Sequence, residues 1–299
     1  MQQELDNVKI NFDVDGLFFL NLTLAIIMFG VALDIKLSDF LRILKNPKSV
    51  LVGVLSQFVL LPAFTFLLVF IINPIPSIAL GMFMVAACPG GNISNFMTNY
   101  AKGNAALSVS LTAIATLFAI VMTPLNFQFW SSLYSPTSTI INSISISPLE
   151  MVKVISLLLG VPLILGMIVR HYFPRFAIKT SPYFKVGSII FFLLLIVLAL
   201  SKNTEIFIKY IHYVFLIVIG HNILALLLGY NVARIARLSK RNRRTLAIET
   251  GIQNSGLGLL LIFSFFEGLG GMAILAAFWG IWHIVSGLIL ATYWSKKRI

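Results

Sequence analysis

Apolar residues run along this chain in long blocks, and polar residues gather between them. A helix needs about 20 mainly apolar residues to cross a bilayer core. Blocks of that size predict nine spans, near 16–33, 49–72, 77–101, 104–126, 149–169, 186–201, 206–230, 245–266 and 270–294. The predicted fold class is an all-α polytopic membrane protein. The stretch 127–147, rich in Ser, Thr and Ile, then falls between spans.

Two blocks break the pattern. The third reads SIALGMFMVAAC, then Pro89-Gly90-Gly91-Asn92, then a polar cluster holding Ser94 and Asn95. Proline and paired glycines interrupt a helix in its middle. The eighth reads TLAIETGIQNSGLGLLLIF, with Gly251 and Gly256 around amide and hydroxyl side chains, and predicts a break near 252–255. Five spans separate the two, so they run in opposite directions. Interrupted helices at corresponding, inverted positions are the pattern of a transporter built from inverted repeats, with its site where the breaks meet.

Composition sharpens this. Of 299 residues, 59% are apolar and 11% charged, against about 45–50% and about 25% in soluble domains. Mean hydropathy is +0.96. These values exclude most soluble enzymes, nucleic-acid binders and secreted domains. The net charge of +12 comes from 22 Lys+Arg against 10 Asp+Glu. Eighteen of the 22 basic residues fall after the odd-numbered spans, and only Lys9, Lys153, Lys202 and Lys209 fall on the other side. Basic loops stay in the cytoplasm, which predicts an external N-terminus and a cytoplasmic C-terminus in a plasma (inner) membrane. The basic excess then names the bilayer as partner and no nucleic acid. Glu4, Asp6, Asp13 and Asp15 give the start the wrong sign for a cleavable signal peptide. The lone Cys88 excludes an internal disulfide, and the four histidines show no zinc-binding spacing.

Of the acidic residues only Glu249 lies in the interior of a span, Glu150 falling at the outer end of its own. An ionisable group there costs several kcal/mol, by contested estimates of about 3 upwards, and marks a functional path. Its neighbours suit a small hard cation, which prefers several oxygen ligands. Ser94 and Asn95 follow the first break, and Ser108 and Thr112 share a helix face at i and i+4. Gln57 and Gln253, with carbonyls freed around 249–252, can serve a second ion. The second halves of the broken helices start near 93 and 254, and helix N-termini favour anions. Two sodium ions and an ionised Glu249 leave a local +1 that a monoanionic substrate neutralises. Asn92, Asn254, Ser255 and His283 are its candidate contacts. The plainer roles for these side chains are bonding to their own backbone, joining helices, and, for His283, packing.

The stretches CPGGNISNFMTNYAKGNAALSVSLT and TLAIETGIQNSGLG resemble the two signature motifs of the bile acid:sodium symporter family, of the forms PGG-x-x-SN with a following S-x-x-x-T, and E-x-G-x-QNSG. IMFGVAL with SDF, GVLSQFVLLP, GHN, and WH-x-x-SG with LATYW are smaller matches. The resemblance implies a sodium symporter of an organic anion, with two sodium ions. One is held by Ser94, Asn95, Ser108, Thr112 and Glu249. The other is held by Gln57 and Gln253 with the carbonyls of Glu249, Thr250 and Ile252. It implies a core of about 49–126 and 206–294, and a panel of about 16–33 and 149–201. It also implies a nine-span form lacking the first helix of ten-span relatives. Asn92 stands where the family often has Thr, and Ile284 where some bile-acid carriers have Asn. The substrate is therefore not inherited, and bile-acid-like, 2-oxo and pantoate-like acids all remain open. Two other readings stand beside this one: a proton-coupled carrier using Glu249, and an intramembrane enzyme with Ser255 and His283 as nucleophile and base.

Overall fold

The computed structural model describes residues 5–6, 8–10, 14–36, 47–144, 147–202 and 204–297. Twelve helices follow in order: α1 (Val14–Ala32), α2 (Pro47–Ile72), α3 (Pro76–Ala87), α4 (Ile93–Tyr100), α5 (Ala105–Leu133) and α6 (Ser135–Ile144). Then come α7 (Pro148–Tyr172), α8 (Pro174–Lys202), α9 (Thr204–Ile235), α10 (Lys240–Gly251), α11 (Ser255–Phe265) and α12 (Gly270–Ser295). Among the described residues five helices, α2, α5, α7, α9 and α12, are each long and apolar enough to cross a bilayer. The third and eighth predicted spans are each divided, into α3 with α4 and α10 with α11.

The helices sort into two packed groups. In one, α3 and α11 are buried almost all round, α2, α5 and α12 pack on α3, α12 packs on α11 as well, and α9 and α10 pack on each other and on α2 and α12. In the other, α1 packs on α7 and α8. The groups meet where α5 touches α7, where α11 touches α1 and where α8 touches α9. Buried helices apolar on every side need no amphipathic stripe. The outer ones present Leu67, Phe70, Ile71, Ile164 and Leu216 outward, as a lipid-facing surface requires.

Prolines shape two long helices without ending them. Pro62 has no N–H to give the Phe58 carbonyl. The helix widens to a π turn over Ser56–Leu60, and Asn126 of α5 donates to that carbonyl at 3.0 Å. A matching π turn, Ser156–Gly160, precedes Pro162 in α7. Pro124 lies within α5, which continues to Leu133 with Phe127 and Ser131 buried. Much of the stretch 127–147 is therefore helical. The predicted span ends at 126, whereas packing of Phe127 and Ser131 carries the helix on to Leu133. Likewise α8 begins at Pro174, before the predicted 186, and α10 begins at Lys240 among the basic residues. The start of α10 is capped beyond the apolar run, where Ser239 accepts from the Asn242 N–H.

A short N-terminal segment crosses the starts of α3 and α12. The Ile10 N–H donates to Gly268 O at 2.8 Å, the Gly270 N–H donates to Val8 O at 2.7 Å, and Asp6 accepts from the Ser77 N–H at 2.8 Å. Leu5 and Ile10 are buried under it. Lys9 pairs with Glu267, and its ammonium holds that carboxyl below the usual carboxylate range, first by hydrogen bonding and then by charge. Of the predicted positions, Glu4, Asp13, Arg42, Lys45 and Arg298 lie outside the described residues.

The α9–α10 contact is close enough to depend on glycine. A Cβ on Gly229 would lie 2.3 Å from Leu246 O and 2.9 Å from the Ala247 Cα. Overpacking of this kind costs about 1–3 kcal/mol. Gly229→Ala is expected to lower the thermal midpoint of the purified protein. Gly220→Ala, where a Cβ meets nothing within 4 Å, is expected to leave it unchanged.

Candidate functional site

Where α3 ends, Cys88 turns to extended backbone, and where α10 ends, Ile252 does the same. The two unwound segments run antiparallel and pair as Gly90 with Gln253. The Gly91 N–H donates to Ile252 O at 2.7 Å, and the Asn254 N–H to Pro89 O at 2.8 Å. A Cβ on Gly91 would sit 2.9 Å from Gln253 O, so only glycine permits the approach. Backbone unwound away from water must find partners in the protein. Here each break supplies them to the other.

Two intact helices hold the ends of the broken ones. Thr123 of α5 donates to Ala87 O, the last residue of α3, at 2.8 Å. Asn222 of α9 donates through Nδ2 to Gly251 O, the last residue of α10, at 2.8 Å, and its Oδ1 accepts from Ser286 of α12 at 2.6 Å. Thr123, Asn222 and Ser286 were not singled out by the sequence reading. Asn222 was noted there only within GHN and Ser286 only within WH-x-x-SG, as family matches without a role.

The five side chains expected at the first ion site come together. Glu249 is fully buried. Its Oε1 accepts from Ser94 at 2.5 Å and from Ser108, and its Oε2 from Thr112 at 3.1 Å. Ser108 and Thr112 also lie 2.9 and 3.3 Å from Asn95 Oδ1. Ser94, Ser108 and Thr112 offer one proton each, so their three protons cannot fill all five of these oxygen contacts. With the Asn95 carbonyl turned toward the hydroxyls, as here, lone pairs face one another. With Glu249 ionised and the Asn95 carbonyl so turned, the cluster is short of positive charge. Arg244, five positions earlier on the same side of the break, does not supply it: its Nη1 donates to Ala101 O and Trp294 O.

Beside this cage lie the residues expected at the second ion site. A Cβ on Gly90 would meet Glu249 O at 3.1 Å and Gln57 Nε2 at 3.5 Å, which places the amide and that carbonyl on one edge. Gln57 Oε1 accepts from the Gly90 N–H at 3.3 Å, and Gln253 Nε2 donates to Thr250 O at 2.7 Å. Thr250 also bonds through its hydroxyl to Ser56, at 3.0 Å. Ile252 O is engaged by Gly91. Gln57 Nε2 and Gln253 Oε1 are buried without a partner in the chain.

The four expected substrate contacts also meet. Asn92, Asn254, Ser255 and His283 line one cavity of about 100 Å³, with Gly91, Gln253 and Ile284. Leu24, Ile27 and Met28 of α1 close its far wall. These three apolar residues gave no sequence signal, since nothing separates them from ordinary lipid-facing positions. The helices α4 and α11 both begin at this cavity, so both present positive dipole ends to it. No Lys or Arg lines it. Asn254 caps α11, accepting from the Leu257 N–H at 3.1 Å, and His283 Nδ1 has no partner.

The chain is similar to known proteins along most of its length. Residues 21–210 match the profile of the Sodium Bile acid symporter family. A Bacillus subtilis (strain 168) protein named uncharacterized sodium-dependent transporter YocS is 37% identical over 279 residues, or 93% of this chain and 84% of that protein. The human ileal sodium/bile acid cotransporter is 31% identical over 240 residues, 80% of this chain and 67% of the human one. The rice (Oryza sativa subsp. japonica) probable sodium/metabolite cotransporter BASS2, chloroplastic, is 28% identical, with 92% of this chain covering 64% of its length.

Removing one partner of a buried hydrogen bond costs about 1–3 kcal/mol. Asn222→Ala is expected to lower the thermal midpoint and Ser286→Ala to lower it less, since the Gly251 carbonyl keeps its donor. In the double variant the two losses are expected to fall short of additive, because they share one chain of bonds.

Proposed function

This chain belongs to the Sodium Bile acid symporter family, and we propose that it carries a small organic anion inward together with two sodium ions. It is a membrane transporter and not an enzyme. The family and the named relatives are transporters. The named relatives are sodium-dependent, which supports sodium coupling in general.

The observation that carries the reading is the shortage of protons in the buried cage. One sodium ion sits among Ser94, Asn95, Ser108, Thr112 and Glu249 and takes the lone pairs that no hydrogen fills. A hard cation prefers such an oxygen set. The second sits beside Gln57 and Gln253, with the carbonyls of Glu249, Thr250 and Ile252. The unpartnered amide atoms there support it, and the Gln57 amide turns to present its oxygen.

With both ions bound, the crossover carries a net positive charge and the two helix N-termini face the cavity. The anion binds to Asn92, Asn254, Ser255 and His283. A cavity of about 100 Å³ is smaller than the roughly 300–1,000 Å³ of drug-sized sites. A small 2-oxo or pantoate-like acid therefore suits this conformation. A bile-acid-sized substrate needs the panel (α1, α7 and α8) to part from the core (α2–α5 and α9–α12). Transport proceeds as the core moves against the panel, in a nine-span arrangement with the N-terminus outside and the C-terminus in the cytoplasm. That orientation follows from the basic residues that follow the odd-numbered spans.

The test is uptake of candidate acids into proteoliposomes, with a sodium gradient at fixed pH and a pH gradient at fixed sodium. Uptake is expected to follow sodium, with a Hill coefficient approaching about two, and to fall to background in Glu249→Ala. In Gln57→Ala the coefficient is expected to drop toward about one. Uptake that follows the pH gradient alone assigns Glu249 to proton coupling. Uptake that ignores sodium and survives Glu249→Ala overturns the proposal.

A further inference from the structure

A second cavity lies away from the crossover and shares no lining residue with it. Ile35 and Lys36 after α1, the last two turns of α7 from Ile164 to Tyr172, and Pro174 and Ile178 of α8 enclose about 660 Å³. That is within the roughly 300–1,000 Å³ of sites that hold organic ligands. Half of the lining residues are unbranched or branched apolar chains: Ile35, Ile164, Met167, Ile168 and Ile178. Ile164, Ile168 and Ile178 are also exposed on the outer, lipid-facing surface. The cavity therefore opens sideways toward the bilayer.

The charged side chains of the wall, Lys36 and Arg170, have one sign; His171 and Tyr172 also line it, and among the described residues no carboxylate does. Arg170 Nη1 is buried and has no hydrogen-bond partner in the chain. A guanidinium donor taken out of water without an acceptor is costly. Its planar fork matches a phosphate or carboxylate in two-pronged fashion. What the site lacks is an anionic oxygen beside Arg170, with an apolar body to fill the aliphatic wall. A molecule of that build, reaching the site from within the membrane, is a lipid. A basic pocket between spanning helices is also where a negatively charged head group is favoured over a neutral one.

We propose that the cavity between α1, α7 and α8 binds an anionic phospholipid, with its phosphate on Arg170 and an acyl chain along Ile164, Met167 and Ile168. The lipid joins the three helices at one end. It is independent of the proposed ion and substrate sites, none of whose residues line this cavity.

The experiment uses the full chain, reconstituted in phosphatidylcholine with and without phosphatidylglycerol. Lipid retention is read by native mass spectrometry and stability by the thermal midpoint. Phosphatidylglycerol is expected to be retained in preference to phosphatidylcholine and to raise the midpoint. Arg170→Ala is expected to weaken retention about tenfold or more, as loss of a charge-assisted bond does. Arg234→Ala, which removes an exposed cation on α9, is expected to leave it unchanged. Ile168→Trp keeps the charge and fills the aliphatic wall, so it is expected to reduce retention too and decides the matter if Arg170→Ala fails to fold. Equal retention of the two lipids, or undiminished preference in Arg170→Ala and Ile168→Trp, overturns the proposal. So does stabilisation by inorganic phosphate in detergent that matches the lipid, since it assigns the site to a free anion.

Discussion

Backbone that unwinds in a bilayer has no water to bond to, and every feature of this protein's centre follows from how that demand is met. The segments after α3 and α10 bond to each other, Gly91 to Ile252 and Asn254 to Pro89. This fixes the two breaks at one depth and brings four half-helix ends to one point. Two of those ends, of α3 and α10, leave carbonyls that Thr123 and Asn222 take up. The other two, of α4 and α11, face the cavity with their N-termini. The same pairing sets Glu249 opposite Ser94 and Asn95 and beside Ser108 and Thr112. A charged group in the core and a positive dipole field beside it are thus products of one constraint.

The arrangement also links the proposed ion sites to the wall of the proposed substrate cavity. Asn222 joins Gly251 to Ser286, and Ser286 lies on α12 three residues past His283. Gln253 belongs to the crossover, to the proposed second ion site and to the cavity lining. An ion that orders the 249–253 backbone therefore acts on the cavity through direct contacts, with no long path between them. The opposite wall comes from α1, which belongs to the other packed group of helices. A cavity divided in this way changes size when the groups move apart, as alternating access demands.

Much of this was legible in the sequence for a physical reason. Pro89-Gly90-Gly91 and Gly251 with Asn254-Ser255-Gly256 are poor helix formers inside apolar runs, and a lone carboxylate in a span is costly, so each feature stood out locally. The cage was legible because Ser108 and Thr112 share a face, a buried Glu249 needs donors or a cation, and a hard cation needs oxygens. What escaped was non-local. Thr123 and Asn222 look like any neutral polar residue within a span, and only the position of the broken ends gives them a task. Leu24, Ile27 and Met28 are indistinguishable by type from lipid-facing residues. The segment from Asp6 to Ile10 carries no periodic pattern, because its order comes from Ser77, Gly268 and Gly270 far along the chain.

The central claim is that the buried oxygen cage is short of a cation and that sodium supplies it. Direct titration of purified protein by calorimetry tests it without transport. Sodium is expected to bind saturably where potassium does not, and Asn95→Ala is expected to weaken binding about tenfold or more, as loss of a ligand to a charged group does. Sodium binding that is unchanged in both Asn95→Ala and Glu249→Gln, with each variant shown to be folded, would contradict the account.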